Sequence, residues 1–240
     1  MKRCNVESTE WLEFKILREF PEVRHATFLK GDHFDLGERG DKGNQERALK
    51  ILGLGKGVKL KQCHCADILE VKEVSKGWTL HENYDGMMTR EKGVALMVRH
   101  ADCQAAIFYD PEAEAIAAVH CGWRGSVKNI YQETILKMGA LYGTDPQALR
   151  VCISPSLGPM KAEFKHYHDE LPSHFWEHQR IPTYFDFWAI SRMQLRSAGV
   201  LQKNIEVAGV CTYSDVEDCF SYRREKGTGH HGTIVALNPS

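Results

Sequence analysis

Three unbroken apolar runs between positions 93 and 120 constrain this chain more than anything else in it. They are Gly93-Val94-Ala95-Leu96-Met97-Val98, Ala105-Ala106-Ile107-Phe108-Tyr109 and Ala115-Ile116-Ala117-Ala118-Val119, with His120 closing the third. A strand with one wet face alternates apolar and polar residues, so runs without a polar position belong to strands covered on both sides. Asp110-Pro111 supplies the turn that ends the second run. After Cys121-Gly122-Trp123-Arg124-Gly125-Ser126, the period changes. Val127, Ile130, Tyr131, Thr134, Ile135, Met138 and Leu141 recur at three and four residues, which predicts an amphipathic helix. Ser126 is the expected N-cap of that helix and Gly143 its stop.

The rest of the chain reads less sharply. The first sixty or so positions alternate strands and glycine-rich loops, with a helix over 45–52 and an extended stretch over 58–74. Further on come a strand over 149–154, a Pro/Gly loop at 155–159, a helix over 187–198, and strands over 205–211 and 232–237. The expectation is one α/β domain spanning 1–240, with a mixed sheet and helices on its outer faces.

Composition narrows the partners. The net charge is −1 over 240 residues and no basic tract stands out, which argues against nucleic acid and for a small-molecule ligand. No apolar run reaches the ~20 residues of a membrane span. Glu7, Glu10 and Glu13 stand where a signal peptide would be apolar, so the protein is expected in the cytoplasm. The eight cysteines are then mostly reduced, and Cys4, Cys152, Cys211 and Cys219 suit buried small hydrophobes.

His64, Cys103 and His120 fall at the ends of expected strands, with His64 in an extended segment. One thiolate and two imidazoles form a borderline-soft set that suits Zn²⁺, with copper as competitor. Three protein ligands leave one position open, as in catalytic zinc sites. Spacing alone also allows a buried cysteine and two hydrogen-bonded histidines. Gly122 to Ser126 leads from a strand into a helix N-terminus, a place for an anion that Arg124 can clamp; a tight turn with a solvated arginine fits as well. Arg223-Arg224 is a second basic pair.

Ala101-Asp102-Cys103 and Ala118-Val119-His120-Cys121-Gly122-Trp123-Arg124-Gly125 resemble the core signature of the YfiH family, also called laccase-domain or multicopper polyphenol oxidase-like. Lys61-Gln62-Cys63-His64 is similar to that family's Gln-Val-His stretch. Ser154-Pro155-Ser156-Leu157-Gly158-Pro159 is similar to its Gly/Pro loop, and Phe220-Ser221-Tyr222-Arg223-Arg224 to its C-terminal block. The resemblance runs over about residues 25–237. It implies a layered fold like that of bacterial toxin deamidases, and a metal held by His64, Cys103 and His120. It also implies phosphorolysis of adenosine, inosine and 5′-methylthioadenosine, with adenosine deamination beside it, so purine nucleoside and phosphate are the expected partners. Arg124 and Arg223 are the expected phosphate contacts, and the chain is expected as a monomer or homodimer. Cys63 and Cys65 depart from the family's usual Val and Gly.

Laccase chemistry itself is not expected. Multicopper sites use many paired His-x-His ligands, and twelve histidines here give only one such pair, His166 and His168. Two other classes compete with the nucleoside enzyme. In one, Cys103 is the nucleophile and His120 its base in an amide hydrolase, for instance one editing cell-wall precursors. In the other, the protein binds metal or nucleoside without turnover. An apolar helix near 175–188, carrying Trp176, Tyr184 and Trp188, is then its docking surface, although those aromatics suit a core better.

Overall fold

The computed structural model describes residues 1–239. Along the first half run β1 Lys2–Val6, β2 Thr9–Glu13, β3 Val23–Phe28, α1 Lys42–Ile51, β4 Lys56–Lys61 and β5 Ile68–Glu70. Next come β6 Gly77–Glu82, β7 Gly86–Thr89, β8 Val94–His100, β9 Gln104–Asp110 and β10 Ala115–Cys121. The helices α2 Trp123–Val127 and α3 Ile130–Tyr142 follow, then β11 Arg150–Ile153, α4 Tyr167–Glu170, β12 Gln179–Ile181 and β13 Tyr184–Phe185. The chain closes with α5 Phe187–Ser197, β14 Ile205–Val207 and β15 His231–Leu237.

The fold is mixed α/β, as the sequence implies, and its strands divide between two principal sheets. One has the order β1-β2-β3-β15-β8-β4-β6, the other β14-β11-β9-β10-β7-β5, and β12-β13 form a small ribbon. The apolar runs explain the layering. In β8, Val94, Leu96 and Val98 join Ala105, Ile107 and Tyr109 of β9 and Ile116 and Ala118 of β10 in a core between the sheets. The alternate residues face outward into second cores. Ala95 and Met97 pack with Ala48 and Leu49 of α1, and Ala106, Phe108, Ala117 and Val119 pack with α3 residues and Leu195 of α5. Each run is therefore buried on both faces because its period of two feeds two cores, giving a helix–sheet–sheet–helix stack.

Several local expectations change. Gly122, not Ser126, caps the turn after β10, and Ser126 lies inside the short α2. A new helix then starts at Asn129, whose backbone is left-handed (φ 53°) and whose side chain accepts from the Gln132 amide. Gly143 closes α3 at φ 74°, as expected. Helix α1 begins earlier than its apolar pattern, because Asp41 accepts from Gly43 and caps it. The strand at 205–211 stops at Val207. No helix spans 175–188: a 3-10 turn at Ser173–His178 and the β12-β13 ribbon occupy it. Phe175 and Phe185 are buried there among Phe187, Ile190 and Leu171, whereas Trp176 is exposed and Tyr184 and Trp188 are half-buried. Among the described residues no helix is long and apolar enough to cross a membrane.

Candidate metal centre

Strands β4, β6 and β8 run parallel, so their C-terminal ends share one rim. At that rim each is followed by a strand of the other sheet: β4 by β5, β6 by β7 and β8 by β9. The three crossovers carry His64, Asp85 and Cys103 respectively. His120 arrives from β10, whose last residue Cys121 pairs with Gln104 at the start of β9. Topology thus gathers four residues that lie far apart in sequence.

One ligand atom each from His64, Cys103 and His120 lies within 4.8 Å of the others. The His64 and His120 rings stand nearly perpendicular, 5.0 Å apart. His120 is buried, Cys103 half-buried and His64 exposed, so the cluster opens to solvent on one side. His64 does not sit in a strand; it occupies a turn with φ 59°, a conformation uncommon for a side chain larger than glycine. Gly122 leaves the room the cluster needs. A Cβ there would come 2.9 Å from His64 Cδ2 and 3.0 Å from Cys103 Sγ.

Asp85 escaped sequence reasoning. Pairing of β7 with β10 sets Gly86 opposite Val119, and the His120 amide donates to the Asp85 carbonyl at 2.7 Å. The same register lets His120 Nδ1–H donate to Asp85 Oδ1 at 2.7 Å, which turns Nε2 toward the cluster. Asp85 Oδ2 accepts from the amides of Cys63 (2.9 Å) and Cys65 (2.8 Å), so this buried carboxylate is fully satisfied. Burial alone would raise its pKa, but the His120 bond and the two amides hold it well below the usual carboxylate range. Burial likewise opposes charge on Cys103 and His120. Each nevertheless stabilises the other, so the thiol is pushed down and the imidazole, helped by Asp85, is pushed up. A borderline-soft cation would take the thiolate as it stands and would displace the proton that Cys103 and Asp85 favour on His120, since only the neutral imidazole has a lone pair to give. The donor set, the clearance at Gly122 and the Asp85 support all fit such an ion.

The cluster forms one wall of a cleft of about 910 Å³, large enough for a nucleoside-sized ligand. Trp123, Leu157, Phe164 and Phe187 give it an apolar wall, while Arg99, Arg223 and Lys226 supply positive charge. Arg223 lies on the loop between β14 and β15. Its amide donates to Asp102 Oδ2 at 2.6 Å, and its guanidinium meets the Lys161 and Glu163 carbonyls only at 3.4 Å, leaving donors free. Arg124 is placed differently. It is exposed, sits 4.1 Å over the Trp123 ring and does not line the cleft. Arg224 is engaged with the carbonyls of Thr212 (2.7 Å) and Tyr213 (2.9 Å). Below the floor, Gln104 Oε1 accepts from the Tyr131 and Ser191 hydroxyls, at 2.6 Å each.

This architecture is that of a known group of proteins. The model of the multi-copper polyphenol oxidoreductase laccase family matches residues 35–238, and the chain belongs to that family. A purine nucleoside phosphorylase of Corynebacterium glutamicum is 31% identical over 220 residues, covering 89% of this chain and 88% of that protein. A purine nucleoside phosphorylase of Bacteroides thetaiotaomicron is 34% identical over 149 residues; the aligned stretch covers 58% of this chain and only 55% of the relative. Among solved structures, YlmD from Geobacillus stearothermophilus superposes with a TM-score of 0.84 at 24% identity, over 95% of this chain and 96% of that one. That likeness supports the fold.

Proposed function

We propose that this protein is a zinc-dependent purine nucleoside phosphorylase of the cytoplasm, acting on adenosine, inosine or 5′-methylthioadenosine. The observation that carries the reading is the cleft itself, which sets the His64–Cys103–His120 cluster, an apolar wall and the free donors of Arg223 around one nucleoside-sized volume. Relatives of this family named as purine nucleoside phosphorylases support the reaction class.

In the reaction, inorganic phosphate attacks C1′ of the nucleoside, the glycosidic bond breaks, and the purine leaves with a proton to give ribose 1-phosphate. Trp123, Phe164 and Phe187 exclude water from the base and offer it aromatic surface. Arg223, with Lys226 beside it, holds the phosphate, and Asp102 fixes the Arg223 backbone. Asp85 keeps His120 in one tautomer with Nε2 facing the cluster. His64, Cys103 and His120 would hold a zinc ion, which would supply positive charge at this wall of the cleft to polarise the purine or orient the phosphate.

A second reading has its own observation. Cys103, His120 and Asp85 stand in the order nucleophile, base and orienting carboxylate, which is the geometry of a cysteine hydrolase. Chromatography of products from adenosine, with and without phosphate, separates the two, with His120→Ala as control. Adenine and ribose 1-phosphate formed only with phosphate establish phosphorolysis, whereas inosine in both conditions establishes deamination. Absence of any product above the control removes the nucleoside reading, and loss of an amidase activity on thiol alkylation but not on chelation then favours the hydrolase.

A further inference from the structure

The two cysteines that flank His64 do more than border the first cluster. Cys63 Sγ, Cys65 Sγ and a carboxylate oxygen of Asp85 lie within 4.8 Å of one another, a grouping separate from His64, Cys103 and His120. We propose that Cys63, Cys65 and Asp85 form a second metal site at the rim of the cleft, for a thiophilic divalent cation such as Zn²⁺ or Cd²⁺.

The backbone builds this grouping. With His64 left-handed, the amides on either side of it converge on Asp85 Oδ2, and the two flanking thiols are carried to the same carboxylate. Cys63 Sγ already lies 3.3 Å from Asp85 Oδ2. Tetrahedral coordination with ~2.3 Å metal–sulfur bonds places sulfurs ~3.8 Å apart, so ligand atoms within 4.8 Å need to close by about 1 Å at most. The Asp67 amide donates to Cys65 Sγ at 3.4 Å, a contact that stabilises a thiolate once an ion has displaced its proton. Cys63 is exposed and Cys65 half-buried, so an ion reaches both from solvent. Binding exchanges two thiol protons for one dication, and water fills the position that the three side chains leave open. Asp85 is shared, because its other oxygen orients His120, so the two ions would flank one carboxylate without sharing a ligand of the first cluster.

The test is ion stoichiometry on the full chain, reduced, stripped with a chelator, reloaded with Cd²⁺ and desalted. Elemental analysis counts the ions and the ultraviolet thiolate-to-cadmium band reports sulfur ligation. Wild type is expected to hold two equivalents. Cys63→Ser/Cys65→Ser is expected to hold one, and Cys103→Ser/His120→Ala also one, with part of the thiolate band retained. The circular dichroism of Cys63→Ser/Cys65→Ser should match wild type, since Cys63 and Cys65 lie outside the core, and the same measurement on Cys103→Ser/His120→Ala checks that loss of the buried His120 leaves the fold intact. The proposal is overturned if Cys63→Ser/Cys65→Ser binds as many ions as wild type, or if Cys103→Ser/His120→Ala binds none, since the cysteines would then serve a single shared centre. One ion in wild type, lost from the first variant and kept by the second, would support the rim site while removing the metal from His64, Cys103 and His120.

Discussion

Gly122 is the residue on which the candidate centre turns most sharply. Its φ of −77° is open to any amino acid, so its replacement tests space alone. Gly122→Ala should leave the apo protein's melting temperature within a few degrees of wild type yet weaken metal retention strongly, because the new methyl meets both His64 and Cys103. Equal retention by the variant, measured against a competing chelator, would show that the ion sits elsewhere. Asp85→Asn is the complementary change. It keeps an acceptor for the two amides but loses the charge that orients His120, and metal affinity should fall about 10- to 100-fold. Both residues bear on what the sequence could disclose. His64, Cys103 and His120 are chemically conspicuous and could be named from their types and their motif. Asp85 follows Asn83-Tyr84 in a polar turn and carries no local mark; only the β7–β10 register reveals its role. Arg124 shows the converse, a residue inside the most specific motif whose guanidinium lies over the Trp123 ring and does not line the cleft.

At the scale of elements, the legible parts were those whose period left no alternative. Strands β8, β9 and β10 are continuous apolar runs and α3 is a clear 3.6-residue pattern, so both were recoverable. The break between α2 and α3 was not, because Val127, Ile130 and Tyr131 keep helical spacing straight through it. What divides the helices is the left-handed backbone at Asn129, a residue type that tolerates that conformation and also caps. Asn129→Ala should therefore cost about 1–2 kcal/mol, from the lost cap and the strained φ together, whereas Asn129→Gly should cost only a few tenths. Denaturant midpoints would decide it, and equal losses for the two variants would remove the conformational part of the argument. The 175–188 segment misled for a related reason. A cluster of aromatics has no period, and Phe175, Phe185 and Phe187 reach one core from three different elements.

At the scale of the whole molecule, buried histidines make the fold sensitive to acid. His25 Nε2 accepts from the Phe14 amide at 2.8 Å, and His231 Nε2 accepts from the Phe220 amide at 2.9 Å, so each ring must be neutral in the fold. Burial pushes both down to about 4 from an ordinary value of 6.5. Below pH 6.5 the unfolded chain takes up protons that the folded one refuses, so the stabilisation is complete above pH 6.5 and lost progressively toward pH 4. The two rings together account for several kcal/mol, by order of magnitude, a large share of the ~5–15 kcal/mol typical of a domain. The melting temperature should already fall between pH 6.5 and 5, where carboxylates remain ionised, with proton uptake on unfolding measurable by calorimetry. A flat profile across that interval would refute it.

The three crossovers at one rim carry a mechanical meaning. His64 and Cys103 leave the sheet that ends in β6, and His120 belongs to the sheet that ends in β5, so an ion gripping all three is a clasp across the seam between two leaves. Prising the leaves apart would open the clasp, and closing the clasp would resist that separation. The energy that seats the ion would thus be felt throughout the sandwich, as far from the cleft as the two sheets remain face to face.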